Sequence, residues 1–68
     1  MLDIKTYYEQ FLGDHIYRFR DDILGYYWQL KNIQYSYLED ISRYTFLRND
    51  YGLLKVYTKS NKLIRIEI

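Results

Sequence analysis

Apolar residues at Ile4, Tyr7, Tyr8, Phe11 and Leu12 follow the i, i+3, i+4, i+7, i+8 spacing of one helical stripe, with Thr6, Glu9 and Gln10 on the wet side. Asp3 precedes the stripe as an N-cap, and Gly13 follows it where a left-handed residue ends a helix. The pattern predicts a first helix over this stretch. At the other end, GLLKVYTKSNKLIRIEI consists of two alternating runs around a polar turn, the signature of a β-hairpin. A three-residue loop, Lys59-Ser60-Asn61, pairs Thr58 with Lys62, Val56 with Ile64 and Leu54 with Ile66. It thereby places Leu54, Val56, Ile64 and Ile66 on one dry face. A two-residue loop mixes polar and apolar side chains on both faces, so the hydrophobic pattern favours the longer one. Upstream, RYTFLR and LLKVY form a further antiparallel pair, with Gly52 supplying the turn after NDY. A three-stranded meander over about 43–68 is expected.

Two periodicities compete over 14–38. Ile16, Phe19, Ile23, Tyr26, Leu30, Ile33 and Tyr37 keep a 3-4 helical spacing, and Asp21-Asp22 suits a helix start. The stretch also alternates as strands, with Tyr17 and Phe19 on one face of IYRFR, Tyr26, Trp28 and Leu30 on one face of YYWQLK, and a third run in IQYSY, and its aromatic and β-branched content favours strand. We read a second helix over about 15–31 and strand from about 33, with Ile33, Tyr35 and Tyr37 on one face. Either pattern gives an α+β domain, an N-terminal helix or helix pair packed on a small antiparallel β-meander in the C-terminal half. LEDISRYTFL and YGLLKVYT also resemble strands of bacterial pleckstrin-like domains, which implies antiparallel sheet there.

Composition sharpens this. The chain has 68 residues, no proline, three glycines and no low-complexity tract, so 1–68 is read as one domain. It has ten tyrosines, three phenylalanines and Trp28 but no alanine, so every apolar residue is large: Leu, Ile, Phe, Tyr, Trp, one Val and Met1. Each ring offers about 150–250 Å² for burial, and a domain this small buries only about 60% of its unfolded surface. Surplus rings are expected outside, available to a partner protein or to a second copy.

Charge and motifs exclude more than they suggest. No cysteine exists, so there is no disulfide or zinc–thiolate site. His15 is the lone histidine, and its neighbour Asp14 points elsewhere on either helix or strand, which argues against an oriented dyad and for a surface or helix-start residue. Asp21-Asp22 reads as a helix start and Glu39-Asp40 as a turn rather than metal ligands. No glycine-rich phosphate loop and no nucleophile elbow is present. Catalytic, metal-binding and cofactor roles are not expected. The net charge of +1 is a poor basis for non-specific nucleic-acid binding. No apolar run approaches the roughly 20 residues of a membrane span, and MLDIKTYYEQ lacks the order of a secretory leader, so a cytoplasmic location is expected.

The expected function is that of a small non-enzymatic protein-interaction module. Inhibitors carried by phage or mobile elements, CRISPR inhibitors among them, share this motif-free profile and block a host protein such as a defence nuclease by occlusion. Aromatic and arginine side chains anchor such contacts, which selects Tyr17, Arg18, Arg20, Tyr26, Trp28, Tyr35 and Tyr57 as the candidate partner-binding residues. The terminal strand Leu63–Ile68 is expected to offer an open edge for strand addition. The alternative is a small nucleic-acid-binding protein. It would be either an aromatic sheet reader or a winged-helix reader with its recognition helix near 36–47 and Lys59 and Lys62 at the wing.

Overall fold

The computed structural model describes residues 3–68; Met1 and Leu2, the start of the stretch read for a leader, lie outside the described residues. Helix α1 spans Ile4–Glu9 and α2 Ile16–Gly25. Strands β1 (Gln29–Ser36), β2 (Ile41–Arg48), β3 (Gly52–Lys59) and β4 (Lys62–Glu67) follow. The strands form one antiparallel sheet in the order β1-β2-β3-β4, so the α+β arrangement stands, with four strands in the meander.

Asp3 caps α1 as its position predicts, its carboxylate accepting the Thr6 N–H at 2.8 Å. The helix ends early. Phe11 and Leu12 donate to Tyr8 and Glu9, three residues back, so the chain tightens after Glu9 and swings Leu12 outward while Tyr8 and Phe11 stay buried. Gly13 holds φ +88°, the left-handed region expected of it.

The second helix begins where the pattern places it but stops at Gly25, six residues short of the expected end. His15 is its N-cap, Nδ1 accepting the Tyr17 N–H at 3.2 Å, so Asp21-Asp22 lies inside the helix and does not start it. Ile16, Phe19 and Ile23 are the buried stripe. The 3-4 spacing beyond Ile23 is coincidence: Tyr27 takes φ +70°, which breaks the helix, and β1 begins at Gln29. There Leu30, Ile33 and Tyr35 alternate as strand residues, and Tyr37 falls in the following turn.

The terminal hairpin corrects the expected register. Its loop has two residues, Ser60 and Asn61, at φ 52° and 66°, the left-handed pair of a type I′ turn, and Lys59 pairs with Lys62. Thr58 then faces Leu63. The objection that a two-residue loop mixes the faces is met by a bulge, because the register shifts between Tyr57 and Thr58 and absorbs Ile64 as the extra residue. The dry positions become Leu54, Val56, Leu63 and Ile66, and Ile64 is exposed. A type I′ turn matches the right-handed twist of its strands, so turn and bulge together outweigh the simple alternation.

The core gathers Tyr8 and Phe11, the α2 stripe, Trp28, Phe46 of β2, Leu54 and Val56 of β3, and Leu63 and Ile66 of β4. β1 contributes no fully buried residue; Leu30 alone packs partly against the core. Helices of six and ten residues are only about 9 and 15 Å long, too short to cover all four strands. They leave β1 bare.

Candidate partner-binding edge and open sheet face

β1 is a free edge of the sheet, hydrogen-bonded to β2 alone. The other edge, β4, is closed over its first half. Gly13 donates to the Leu63 carbonyl at 2.8 Å, Leu63 donates to Asp14 at 3.0 Å, and Ile16 donates to Asn61 at 2.7 Å. The α1–α2 connection is thus laid along the start of β4, and His15 bridges to Lys62. The expectation of an open edge at Leu63–Ile68 is corrected there: backbone groups left unpaired at a sheet edge attract partners, and at Leu63 the chain supplies its own.

Large apolar side chains lie exposed on the bare edge and on the turns at either end of it. Tyr27 is 83% exposed, Ile33 55%, Tyr35 58%, Tyr37 85% and Leu38 94%. Ile33 and Tyr35 are the Cα partners of Tyr44 and Ser42, which in turn face Val56 and Thr58, so they share the helix-bearing side of the sheet. The Tyr35 hydroxyl donates to Asp40 at 2.7 Å, a bond that pushes its pKa upward. Glu39 and Asp40 lie in the turn after β1, as read from the sequence, and Asp40 takes φ +56° there. The only charge on β1 is Lys31, held where the register shifts between Leu30 and Asn32.

The opposite, helix-free side of the sheet carries a row in register across all four strands, Gln34, Arg43, Tyr57 and Arg65. Arg43 Nη2 donates to the Gln34 side-chain oxygen. The Tyr57 hydroxyl donates to Glu67 at 2.7 Å, and the Arg65 guanidinium stands 5.6 Å from the Tyr57 ring centre while pairing with Glu67. The Tyr57 bond, with the charges of Arg65, Lys55 and Arg43 nearby, holds the Glu67 carboxyl below its ordinary range. Beside the row lies a shallow cavity of about 700 Å³ with Glu39, Ile41, Arg43, Tyr57, Ile64 and Arg65 among the residues in its walls.

The seven candidate residues do not form one surface. Tyr17, Arg18 and Arg20 lie exposed on α2, with Arg18 ion-paired to Asp14 at 3.7 Å, and Tyr26 follows as the helix C-cap. Tyr57 stands on the side of the sheet that α2 does not cover. Trp28 is in the core at 3% exposure, its indole N–H donating to Tyr8, so it is not available to a partner in this fold. Tyr35 belongs to the bare edge. Ile33, Tyr37, Leu38 and Arg43 were not singled out from the sequence. For Ile33 and Tyr37 the signal was present in YYWQLKNIQYSY, uncharged apart from Lys31, which reads equally well as buried until helix length is known; Leu38 and Arg43 lie outside that stretch.

A winged-helix reader is not built here, because residues 36–47 form the end of β1, the β1–β2 turn and most of β2 rather than a recognition helix. Among the described residues no three His, Cys, Asp or Glu side chains converge as a metal site, and no helix is long and apolar enough to cross a membrane. No family model, curated protein or solved structure matches the chain.

Proposed function

We propose that the protein is a non-enzymatic recognition module that binds another protein by accepting one of its strands along β1. The observation that supports it is the coincidence of an unpaired sheet edge with exposed Tyr27, Ile33, Tyr35, Tyr37 and Leu38. Main-chain hydrogen bonds along β1 give affinity in this mode, and side chains beside the edge give selectivity. The exposed Tyr27, Tyr35 and Tyr37 rings supply aromatic anchors of the kind that dominate interface energies. Occlusion of a working surface on a host enzyme, the action of a small phage- or mobile-element-borne inhibitor, requires nothing beyond such an edge. A cytoplasmic protein target suits a chain without cysteine.

Affinity capture from a native-host lysate with mass spectrometry tests the reading when the wild type is run beside Ile33→Lys and Tyr35→Lys. Both positions are exposed, so the fold tolerates the change, and a partner held by wild type should be lost by both variants. Recovery of no partner, or of one that both variants retain, overturns it. Sizing chromatography across concentration identifies the remaining occupant of the edge, a second copy of the chain.

A further inference from the structure

We propose that the strand accepted by β1 presents an acidic side chain on the helix-free face of the sheet, and that Arg43 is the residue that reads it. The inference rests on the β1 reading above and adds the chemistry of the partner to it.

Arg43 lies on β2, but Gln34, the β1 residue it faces, accepts from its Nη2, so the guanidinium leans toward the free edge. Arg43 is half-buried and its Nε is enclosed without an acceptor. Buried donors are nearly always satisfied, and a guanidinium removed from water without a counter-ion is costly. The ion pairs among the described residues are Arg18–Asp14, Arg48–Asp50 and Arg65–Glu67, and Arg43 takes part in none. The other cation of the row is already spoken for, since Arg65 is held by Glu67 and the Tyr57 ring. Arg43 is therefore the cation of the row without an ion pair, its charge felt by Glu67 only at longer range, beside a cavity that Glu39 also lines.

The position of an incoming strand follows from sheet geometry. It lies about 4.8 Å beyond β1 and turns every second side chain to the helix-free face. A Glu opposite Gln34 extends toward a guanidinium that already reaches over β1, and a charge-assisted Arg–carboxylate contact is the strong form of such a bond. The alternate positions fall beside Ile33 and Tyr35 and call for apolar residues. β1 contains no acidic residue to repel the newcomer. The wider charge distribution agrees: residues 26–68 hold seven lysines and arginines against four acidic residues, whereas 1–25 hold three against five. The sheet half of the molecule is the half that attracts an anion.

The test titrates the isotopically labelled full chain with capped ten-residue peptides alternating valine with Glu, Gln or Lys, observed by NMR. The Glu peptide should bind at least tenfold more tightly than the Gln peptide and shift the β1 amides together with the Arg43 Nε–H. Arg43→Gln should abolish that preference while keeping Gln-peptide affinity, and Arg43→Lys should restore part of it. Far-UV circular dichroism checks that both variants fold. Equal binding of Glu and Gln peptides, with β1 shifts, overturns the Arg43 inference and leaves the edge reading standing. Absence of β1 shifts with every peptide overturns both. A 20-nucleotide oligothymidine that displaces the Glu peptide from Arg43 at lower concentration overturns the choice of a peptide as the occupant.

Discussion

The Trp28 indole N–H donates to the Tyr8 hydroxyl at 3.1 Å, with both residues buried, so the segment that leads into β1 is fastened to the first helix. Burial pushes the Tyr8 phenol upward in pKa, and the Trp28 bond opposes the shift. Tyr8→Phe keeps the ring in its edge-on contacts with Phe19 and Trp28 but leaves the indole N–H enclosed without an acceptor. An unsatisfied buried donor costs about 1–3 kcal/mol. Urea denaturation should show that loss, and Trp28→Phe should make a subsequent Tyr8→Phe change cheaper, as a double-mutant cycle requires of one shared bond.

Phe19 is fully buried at the meeting point of Tyr8, Phe11 and Phe46. Phe→Ala in such a site costs about 3–5 kcal/mol, and a core of this size supplies about 3–5 kcal/mol in all. Phe19→Ala should therefore be unfolded at 25 °C by near-UV circular dichroism, whereas Phe19→Leu, which keeps most of the volume, should fold with a lower midpoint.

These two residues also mark what the sequence made legible. Phe19 and its stripe partners Ile16 and Ile23 followed from 3-4 spacing, and the surplus of rings followed from an alanine-free composition: six tyrosines are exposed and only Tyr8 is buried. The break after Gly25 was not legible, because Tyr27 adopts a left-handed backbone that a bulky residue rarely takes. Nor was the Ile64 bulge, since Leu63, Ile64 and Ile66 fit either face and only the turn geometry decides. For the site, Tyr35 could be read from alternation. Arg43 could not, because its significance lies in the partner it lacks and in the strand that turned out to be the edge.

The Ser60-Asn61 turn is a direct probe of the corrected register. Both residues hold positive φ, a conformation that costs an L-residue roughly 1–2 kcal/mol and that Asn and Gly bear best. Replacing the pair by Asn-Gly, the preferred type I′ sequence, should raise the urea midpoint by the equivalent of about 1 kcal/mol with an unchanged slope. A three-residue loop would place Asn61 alone in that conformation, and Ser60→Asn would then leave the midpoint where it was.

Alkaline stability should depend on Tyr7. Its hydroxyl donates to Asp22 at 3.4 Å with Tyr26 alongside, and the Tyr26 hydroxyl first, then burial and the Asp22 charge, hold the phenol up to about 12 against an ordinary 10.0. Below pH 10 the phenol is neutral in both states and its stabilising contacts are complete. As pH rises from 10 toward 12 the unfolded chain ionises while the folded one resists, so that contribution is lost across this window. The wild type should lose stability more steeply than Tyr7→Phe between pH 10 and 12, bringing the two denaturation midpoints together. Absorbance at 295 nm should show one fewer late-titrating phenol in the variant. If the gap between the midpoints is constant from pH 9 to 12, Tyr7 is not held neutral by Tyr26 and Asp22.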